Sequence, residues 1–184
     1  ANTESEYNAG IMWESGQPGA IYAKRQLVPF GEYIPTGSFF KSHIYSYLTY
    51  LPRIVPGASN GIFTLKNGIK FGDLICFEIA NESLVLKSVN DGAEFLTVQT
   101  NNATYSDTTQ PAQQLNITRF RAIENNRSIV VAATTGHTVV INNKGAIVAQ
   151  VPAKQRGSVV QEITGATKQM YVHRINTHVV VWLC

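Results

Sequence analysis

The residues of this sequence that could do chemistry centre on one cysteine. Cys76 lies within a short apolar run, residues 73–79 (DLICFEI), and Glu78 follows it two positions later. Lys24 closes another extended stretch, and Glu32 lies in the proline- and glycine-containing loop after it. A thiol that attacks an acyl group needs a base, a donor-rich or positive site for the oxyanion, and exclusion of water. These four residues are the candidates for such a site.

Each candidate also has an ordinary structural explanation. A single cysteine in an apolar strand is more often a small core residue than a nucleophile. Lysine is more often solvated, and Glu78 would be a carboxylate favoured by the dipole of a helix start. The local pattern alone therefore favours a core cysteine at position 76.

Several other kinds of site are not indicated. The sequence has no G-x-S-x-G motif, and its histidines have no metal-ligand spacing, so a serine hydrolase, a Cys-His pair, a metal and a cofactor are not predicted. The histidines are His43, His137, His173 and His178. The net charge of +3 comes from scattered lysines and arginines, which gives no basic patch for nucleic acid.

Length and composition indicate one globular domain. The 184 residues are 44% hydrophobic and 15% charged, which is enough to build a core. The chain begins on a polar stretch and ends on an apolar one, residues 179–184, so we expect a fragment of a longer protein. Residues 169–184 are then either a tail that begins a membrane helix or a final core strand.

The cysteine and the lysine are both expected at strand ends. Residues 7–15 and 19–28 predict a hairpin, which places Lys24 near the end of its second strand. Asn67-Gly68 predicts a second hairpin with a type I′ turn, which has positive φ at both central positions and leads into the strand that ends at Cys76. A helix start directly after Cys76 would give it the N–H groups of a first helical turn.

The remaining pattern alternates helices and strands. Residues 81–90 predict a helix capped by Asn81, and residues 111–125 predict another that opens at Pro111. A short aromatic-rich helix is expected at residues 38–51, either buried or forming a lid or membrane-facing surface. Strands are expected at residues 93–100, 128–134, 138–141, 146–149 and 158–163. This order is typical of a layered α/β domain with helices on the outer faces of its sheets.

Two segments carry a resemblance to a known family. Residues 22–35 (YAKRQLVPFGEYIP) closely resemble the catalytic-lysine segment of the nitrilase (carbon-nitrogen hydrolase) superfamily, in its apolipoprotein N-acyltransferase branch. Residues 72–79 (GDLICFEI) resemble the nucleophile segment of that branch, and the spacing from Lys24 to Cys76, 52 positions, is the one expected there. Residues 114–124 and 133–141 are similar to the helix and strand pair that follow. The resemblance covers about residues 7–163.

The resemblance implies a fold and a domain division. It implies an α/β, nitrilase-like α-β-β-α sandwich of two mixed sheets with helices on the outer faces, here without its N-terminal part. Residues 1–168 would form a partial carbon-nitrogen hydrolase domain, and residues 169–184 would be the tail.

The resemblance also implies an activity. Cys76 would take an acyl chain from a membrane phospholipid as a thioester and pass it to the N-terminal amine of a diacylglyceryl-cysteine lipoprotein. Lys24 would stabilise the oxyanion, while Glu32 and Glu78 would support Lys24 and the cysteine loop, and Phe77 stands where tyrosine is common. The enzyme would act at the bacterial cell membrane, with its catalytic domain on the extracytoplasmic face and without a cofactor.

Two departures from the family keep other functions open. The family's general base is a glutamate several dozen residues before the lysine, and Glu4, Glu6 and Glu14 lie too close to match it. The loop at residues 101–106 (NNATYS) stands where a Trp-Phe-Gly run is usual. We therefore expect this chain to be inactive alone. The alternatives are a soluble nitrilase-type amidase and an inactive remnant that acts as a binding or structural domain.

Overall fold

The computed structural model describes residues 6–33 and 54–167. The helix predicted at residues 38–51 and the predicted tail at residues 169–184 lie outside the described residues. The chain divides into two compact units at the Asn60–Gly61 bond.

The first unit contains an antiparallel hairpin of β1 (Ala9–Glu14) and β2 (Gln17–Ala23). The hairpin is confirmed, but its turn is tighter than predicted and consists of Ser15 and Gly16. These two residues have φ values of 51° and 80°, the positive-φ pair that suits a twisted two-residue turn. The second strand therefore starts early and ends at Ala23, directly before Lys24.

The second unit is built on a six-stranded mixed sheet in the order β3-β4-β5-β6-β7-β8. The inner strands β4, β5 and β6 are parallel, and the remaining pairs are antiparallel. The strands are β3 (Ile62–Thr64), β4 (Lys70–Ile75), β5 (Phe95–Asn101), β6 (Ser128–Thr135), β7 (Val139–Ile141) and β8 (Ile147–Gln150).

Helical crossovers connect the parallel strands, as parallel pairing requires. A short 3₁₀ helix (Cys76–Ala80) and α1 (Glu82–Asn90) join β4 to β5, and α2 (Gln110–Asn125) joins β5 to β6. The predicted cap of α1 is confirmed, since the Asn81 side chain accepts the Leu84 N–H at 3.2 Å.

Both crossover helices contribute to one core with the sheet. Val85 of α1 and Ala122 of α2 are fully buried in a cluster with residues from four strands or their flanks. Burying branched apolar side chains from the central strands and both helices is the main stabilising term of such a layered unit. The cluster consists of Leu74, Ile79, Val85, Ala93, Leu96, Val98, Ala122, Ile129, Val131, Val139 and Ile141.

Two local predictions were wrong. At the Asn67-Gly68 turn only Gly68 has positive φ, 86°, so the hairpin forms without a type I′ turn. Residues 158–163 form no strand, and Val160 is 96% exposed, because β8 is the last strand of the described sheet and this segment does not pair with it. The helix predicted at residues 81–90 is present and begins at Glu82, and a 3₁₀ helix lies between it and β4.

Within residues 6–33 and 54–167, every helix is too short or too polar to cross a bilayer.

We predict that Gly72→Ala destabilises the second unit. A Cβ at Gly72 would lie 2.8 Å from Leu96 Cδ2 and 2.9 Å from Ser88 Cβ, where β4 packs between β5 and α1. Overpacking of this kind costs about 1–3 kcal/mol. Urea denaturation followed by circular dichroism should show a lower midpoint.

The matched control is Gly31→Ala. Its Cβ would meet Val28 Cγ1 at 3.5 Å, an ordinary contact, so the free energy of unfolding should change by less than about 0.5 kcal/mol. Equal midpoints for the two variants would contradict the close packing at Gly72.

Candidate active site

The candidate residues of the first unit form a buried ion pair. Lys24 is 1% exposed, and its Nζ donates to Glu32 Oε2 at 2.6 Å. A buried ammonium requires such a partner, because an unpaired charge costs several kcal/mol away from water. The solvated lysine that the local pattern favoured is therefore not found, and the structure brings the predicted pair Lys24 and Glu32 together.

Glu32 is held by more than the lysine. Its Oε2 also accepts the Val28 N–H at 2.8 Å, and its Oε1 accepts Asn8 Nδ2 at 3.0 Å. Burial by itself raises the pKa of Glu32, but the hydrogen bonds from Lys24, Val28 and Asn8, together with the charge of Lys24, outweigh it. The net result is a pKa below the ordinary value of 4.5, so Glu32 is a fixed carboxylate.

The backbone around Lys24 is also fixed. The Lys24 N–H donates to Asn8 O at 2.8 Å, and Lys24 O accepts the Gly57 N–H at 2.8 Å. Position 57 must be glycine, since a Cβ there would lie 2.3 Å from Ala23 O. Lys24 is thus held by its main chain on both sides and by Glu32 at its charged end.

The candidate residues of the second unit lie at the end of β4. Cys76 has φ = 56°, a left-handed conformation that costs a non-glycine residue about 1–2 kcal/mol. It directly follows the last residue of β4 and is partly exposed. Reactive residues are frequently held in sparsely populated backbone conformations at such strand ends, as in the nucleophile elbow of serine hydrolases.

Glu78 supports this turn from inside. It is 1% exposed, and its Oε2 accepts the Ile75 N–H at 2.9 Å. Sequence reasoning placed Glu78 at an α-helix start, but the structure uses it to close the short 3₁₀ helix onto the end of the strand. Phe77, between the two, is 52% exposed.

Sequence reasoning missed a side chain that contacts the Cys76 backbone. Gln114 of α2 donates from Nε2 to Cys76 O at 3.0 Å, and its Oε1 accepts Asn102 Nδ2 at 2.9 Å. Nothing in the local sequence marks Gln114, because glutamine is common on helix surfaces and position 114 is 38 residues from the cysteine. A resemblance in residues 114–124 was noted, but it gave no role to this residue.

A second buried carboxylate lies beside the cysteine segment. Asp73 is 1% exposed and accepts Thr97 Oγ1 at 2.6 Å and Gln99 Nε2 at 2.9 Å. Burial raises the pKa of Asp73 above its usual range and the charge of Glu78 raises it further, while the two hydrogen bonds only partly oppose the rise. Asp73 therefore differs from Glu32, which has a cation beside it.

The described geometry suits nucleophilic chemistry by a thiol. The second unit offers a cysteine on a constrained turn with a buried carboxylate, Glu78, that holds the backbone before it. The first unit, described by itself, offers a buried lysine fixed by a carboxylate, the kind of group that can stabilise an oxyanion. Within residues 6–33 and 54–167, no group of three potential metal ligands is found.

Comparison with known sequences identifies relatives of this chain that share one family description or name. A family model described as "Carbon-nitrogen hydrolase" matches residues 2–171. Apolipoprotein N-acyltransferase from Mycolicibacterium smegmatis is 40% identical over 139 residues, which is 75% of this chain and 23% of that protein. The protein of the same name from Coxiella burnetii is 33% identical over 171 residues, 90% of this chain and 34% of that protein. The chain thus spans about a quarter to a third of these relatives.

Solved structures share the fold. A glutamine-dependent NAD⁺ synthetase from Acinetobacter baumannii superposes with a TM-score of 0.63 at 19% identity, covering 85% of this chain and 28% of that chain. A Saccharomyces cerevisiae member of branch 10 of the nitrilase superfamily gives a TM-score of 0.56 at 23% identity, and the superposition covers 79% of this chain and 49% of that chain. At these identities the likeness concerns the fold alone, and it confirms the predicted nitrilase-like α/β class.

The sequence match and the shared fold agree with each other. The match extends through both units, from the segment around Lys24 and Glu32 to the helix that carries Gln114. This chain belongs to the carbon-nitrogen hydrolase family.

Proposed function

We propose that this chain is part of an N-acyltransferase in which Cys76 carries an acyl group as a thioester. The observation that most supports this proposal is the conformation of Cys76, which has φ = 56° at the end of β4. The N–H of Ile75, directly before it, donates to Glu78 Oε2. The relatives named apolipoprotein N-acyltransferase support an acyl transferase over other reactions of the family.

The proposed reaction has two displacements. In the first, Cys76 Sγ attacks the carbonyl carbon of a phospholipid ester, the carbon–oxygen bond breaks, and a lysophospholipid leaves with the proton. In the second, the N-terminal amine of a diacylglyceryl-cysteine lipoprotein attacks the thioester. An amide forms, the carbon–sulfur bond breaks, and the proton lost by the amine returns to the thiol.

Lys24 is proposed to stabilise the oxyanion of each tetrahedral intermediate. An ammonium has three N–H donors, and Glu32 accepts one of them, so the pair fixes both the position and the charge of Lys24. Preorganised charge of this kind costs no reorganisation during reaction and is worth more where water is excluded.

The supporting residues are proposed to act through the backbone. Glu78 holds the N–H before Cys76, and Phe77 offers an exposed apolar ring at the turn where the acyl chain would arrive. Such an enzyme would work at the bacterial cell membrane with its catalytic domain on the extracytoplasmic face, with phospholipid as donor and a lipoprotein N-terminus as acceptor.

The general base is proposed to be the family's glutamate upstream of the lysine, for which Glu4, Glu6 and Glu14 are too close in sequence. We therefore expect acyl transfer by the 184-residue chain alone to be absent or very slow. An amidase differs only in the second step, where water resolves the thioester, and an inactive remnant would form no adduct at all.

We predict that Cys76→Ala abolishes acyl adduct formation. The protein, both as this chain and as the full product of its gene, is incubated with phospholipid vesicles, and the Cys76 peptide is analysed by mass spectrometry. An acyl-sized mass increase is expected for the unchanged full product only, and little or none is expected for the 184-residue chain or for either form of Cys76→Ala. The free energy of unfolding should change by no more than about 1–2 kcal/mol, since alanine at position 76 removes only a small side chain.

The fate of the adduct separates the candidate functions, and Cys184→Ala serves as the thiol control. Release by a diacylglyceryl peptide with a free N-terminus supports the transferase, whereas release by water at the same rate indicates an amidase. A folded full-length protein without an adduct would contradict the proposal.

We predict that Glu32→Gln destabilises the protein in a pH-dependent way. The variant leaves the buried Lys24 charge without its anion, which costs about 3 kcal/mol at neutral pH. Because the pKa of Glu32 is lowered on folding, its stabilisation is complete above the ordinary value of 4.5 and is lost as the pH falls through the folded value. The difference in unfolding free energy between wild type and variant should therefore shrink below about pH 4.5.

Urea denaturation at several pH values measures this difference. Glu162→Gln, at an exposed position, is the control and should match wild type at every pH. A gap between wild type and Glu32→Gln that stays constant down to pH 3 would contradict the ion pair as its source.

A further inference from the structure

The side chain of Gln114 reaches the backbone of the candidate nucleophile from another element. It lies in the second turn of α2, whose start is fixed by Pro111, and its Nε2 donates to Cys76 O at 3.0 Å. The carbonyl belongs to the peptide bond between Cys76 and Phe77. This hydrogen bond therefore fixes the plane of the peptide that follows the thiol.

The orientation of the Gln114 amide is itself determined. Asn102 Nδ2 donates to Gln114 Oε1 at 2.9 Å, so the oxygen faces Asn102 and the nitrogen faces Cys76. Asn102 is 7% exposed, and its N–H donates to Thr135 O at 3.0 Å. With its oxygen engaged by Asn102, the amide presents a donor and not an acceptor to the cysteine.

Asn102 is confined by a glycine. Gly136 has φ = 125°, and a Cβ at this position would lie 2.9 Å from Asn102 Nδ2. The turn after β6 therefore lies close against Asn102, where a side chain at position 136 would not fit. Asn102 orients Gln114, and Gln114 donates to the Cys76 carbonyl, so these contacts form a continuous path from the turn through two side chains to the backbone of Cys76.

The strained backbone of Cys76 needs hydrogen bonds such as these to stay in place. At φ = 56° the cysteine has an unfavourable backbone conformation, and relaxing to an ordinary one would redirect its Sγ. Glu78 holds the N–H of Ile75 before the cysteine, and Gln114 holds the carbonyl of the cysteine itself. The strained turn is thus fastened on both sides.

We propose that Gln114 is a positioning residue for Cys76, acting through the carbonyl of the cysteine with its amide oriented by Asn102. It does not touch the acyl group. The proposal rests on the proposed function only in that Cys76 is taken as the nucleophile, and it applies equally to a transferase and an amidase.

The test compares Gln114→Met with Gln113→Met in the full chain. Methionine keeps the length of glutamine but has no N–H donor, and Gln113 is an exposed neighbour on the same helix. Acylation of Cys76 by p-nitrophenyl butyrate is measured at pH 8.5 as release of p-nitrophenolate and as added mass on the Cys76 peptide. At pH 8.5 the buffer takes the thiol proton and p-nitrophenolate leaves as an anion, so this acylation does not depend on the general base.

The rate of Cys76 alkylation by iodoacetamide is measured for comparison with the rate of acylation. Acylation passes through an oriented tetrahedral intermediate, whereas alkylation tolerates many approaches. Gln114→Met should therefore lower the acylation rate at least tenfold and leave the alkylation rate within about twofold. Gln113→Met should leave both rates unchanged.

Three outcomes would overturn the proposal. Unchanged acylation in Gln114→Met shows that the hydrogen bond does not position the thiol. A parallel fall in both rates, or a rise in alkylation with a loss of folded signal, shows a general structural role instead.

Failure of the proposed function is recognised separately. If the wild-type chain is not acylated at Cys76, the nucleophile assignment fails, and amide hydrogen exchange of residues 76–80 then decides the role of Gln114. Exchange accelerated at least tenfold in Gln114→Met, but not in Gln113→Met, supports the hold on the turn. Equal exchange in the two variants refutes it.

Discussion

The left-handed backbone of Cys76 is the constraint on which the candidate site depends. Strand β4 is parallel to β5, so the chain must leave the sheet at Ile75 and cross over before it can return. A positive φ at the next residue makes this departure abrupt and leaves the cysteine partly exposed at the strand end. The conformation is unfavourable for a side chain with a Cβ, so it persists only because neighbouring groups hold the peptides around it.

Three carboxylates close to the candidate residues are buried or half-buried, and each is stabilised differently. Glu32 has a cation and two N–H donors beside it, which lowers its pKa despite burial. Burial and the charge of Glu78 raise the pKa of Asp73, and the hydrogen bonds from two neutral side chains only partly oppose this rise. The two pKa values differ in direction because Glu32 has an ammonium beside it, whereas the hydrogen bonds from Thr97 and Gln99 only partly offset the burial of Asp73.

Local signals in the sequence predicted most helices and strands. The features that were not predicted depend on contacts between residues that are distant in the sequence. The Asn81 cap and the helix opened by Pro111 follow from chemistry within one turn, and both are present. The strand expected at residues 158–163 has the right composition, but pairing also needs an available sheet edge in register, which composition does not reveal. The burial of Lys24 likewise depends on Glu32 and Asn8, since a lysine in isolation is expected at the surface.

The hold of Gln114 on Cys76 depends on how β5 and β6 end. Asn101 pairs with Thr135, and the extra residue of this irregularity lies in β6. Side chains alternate along β5, and Asn102, one residue beyond it, continues the buried alternation of the strand. Its N–H donates to Thr135 O, and its side-chain Nδ2 donates to Gln114 Oε1 and so orients the amide of Gln114. The position of the candidate nucleophile therefore depends on how two neighbouring strands end, in addition to the turn that carries it.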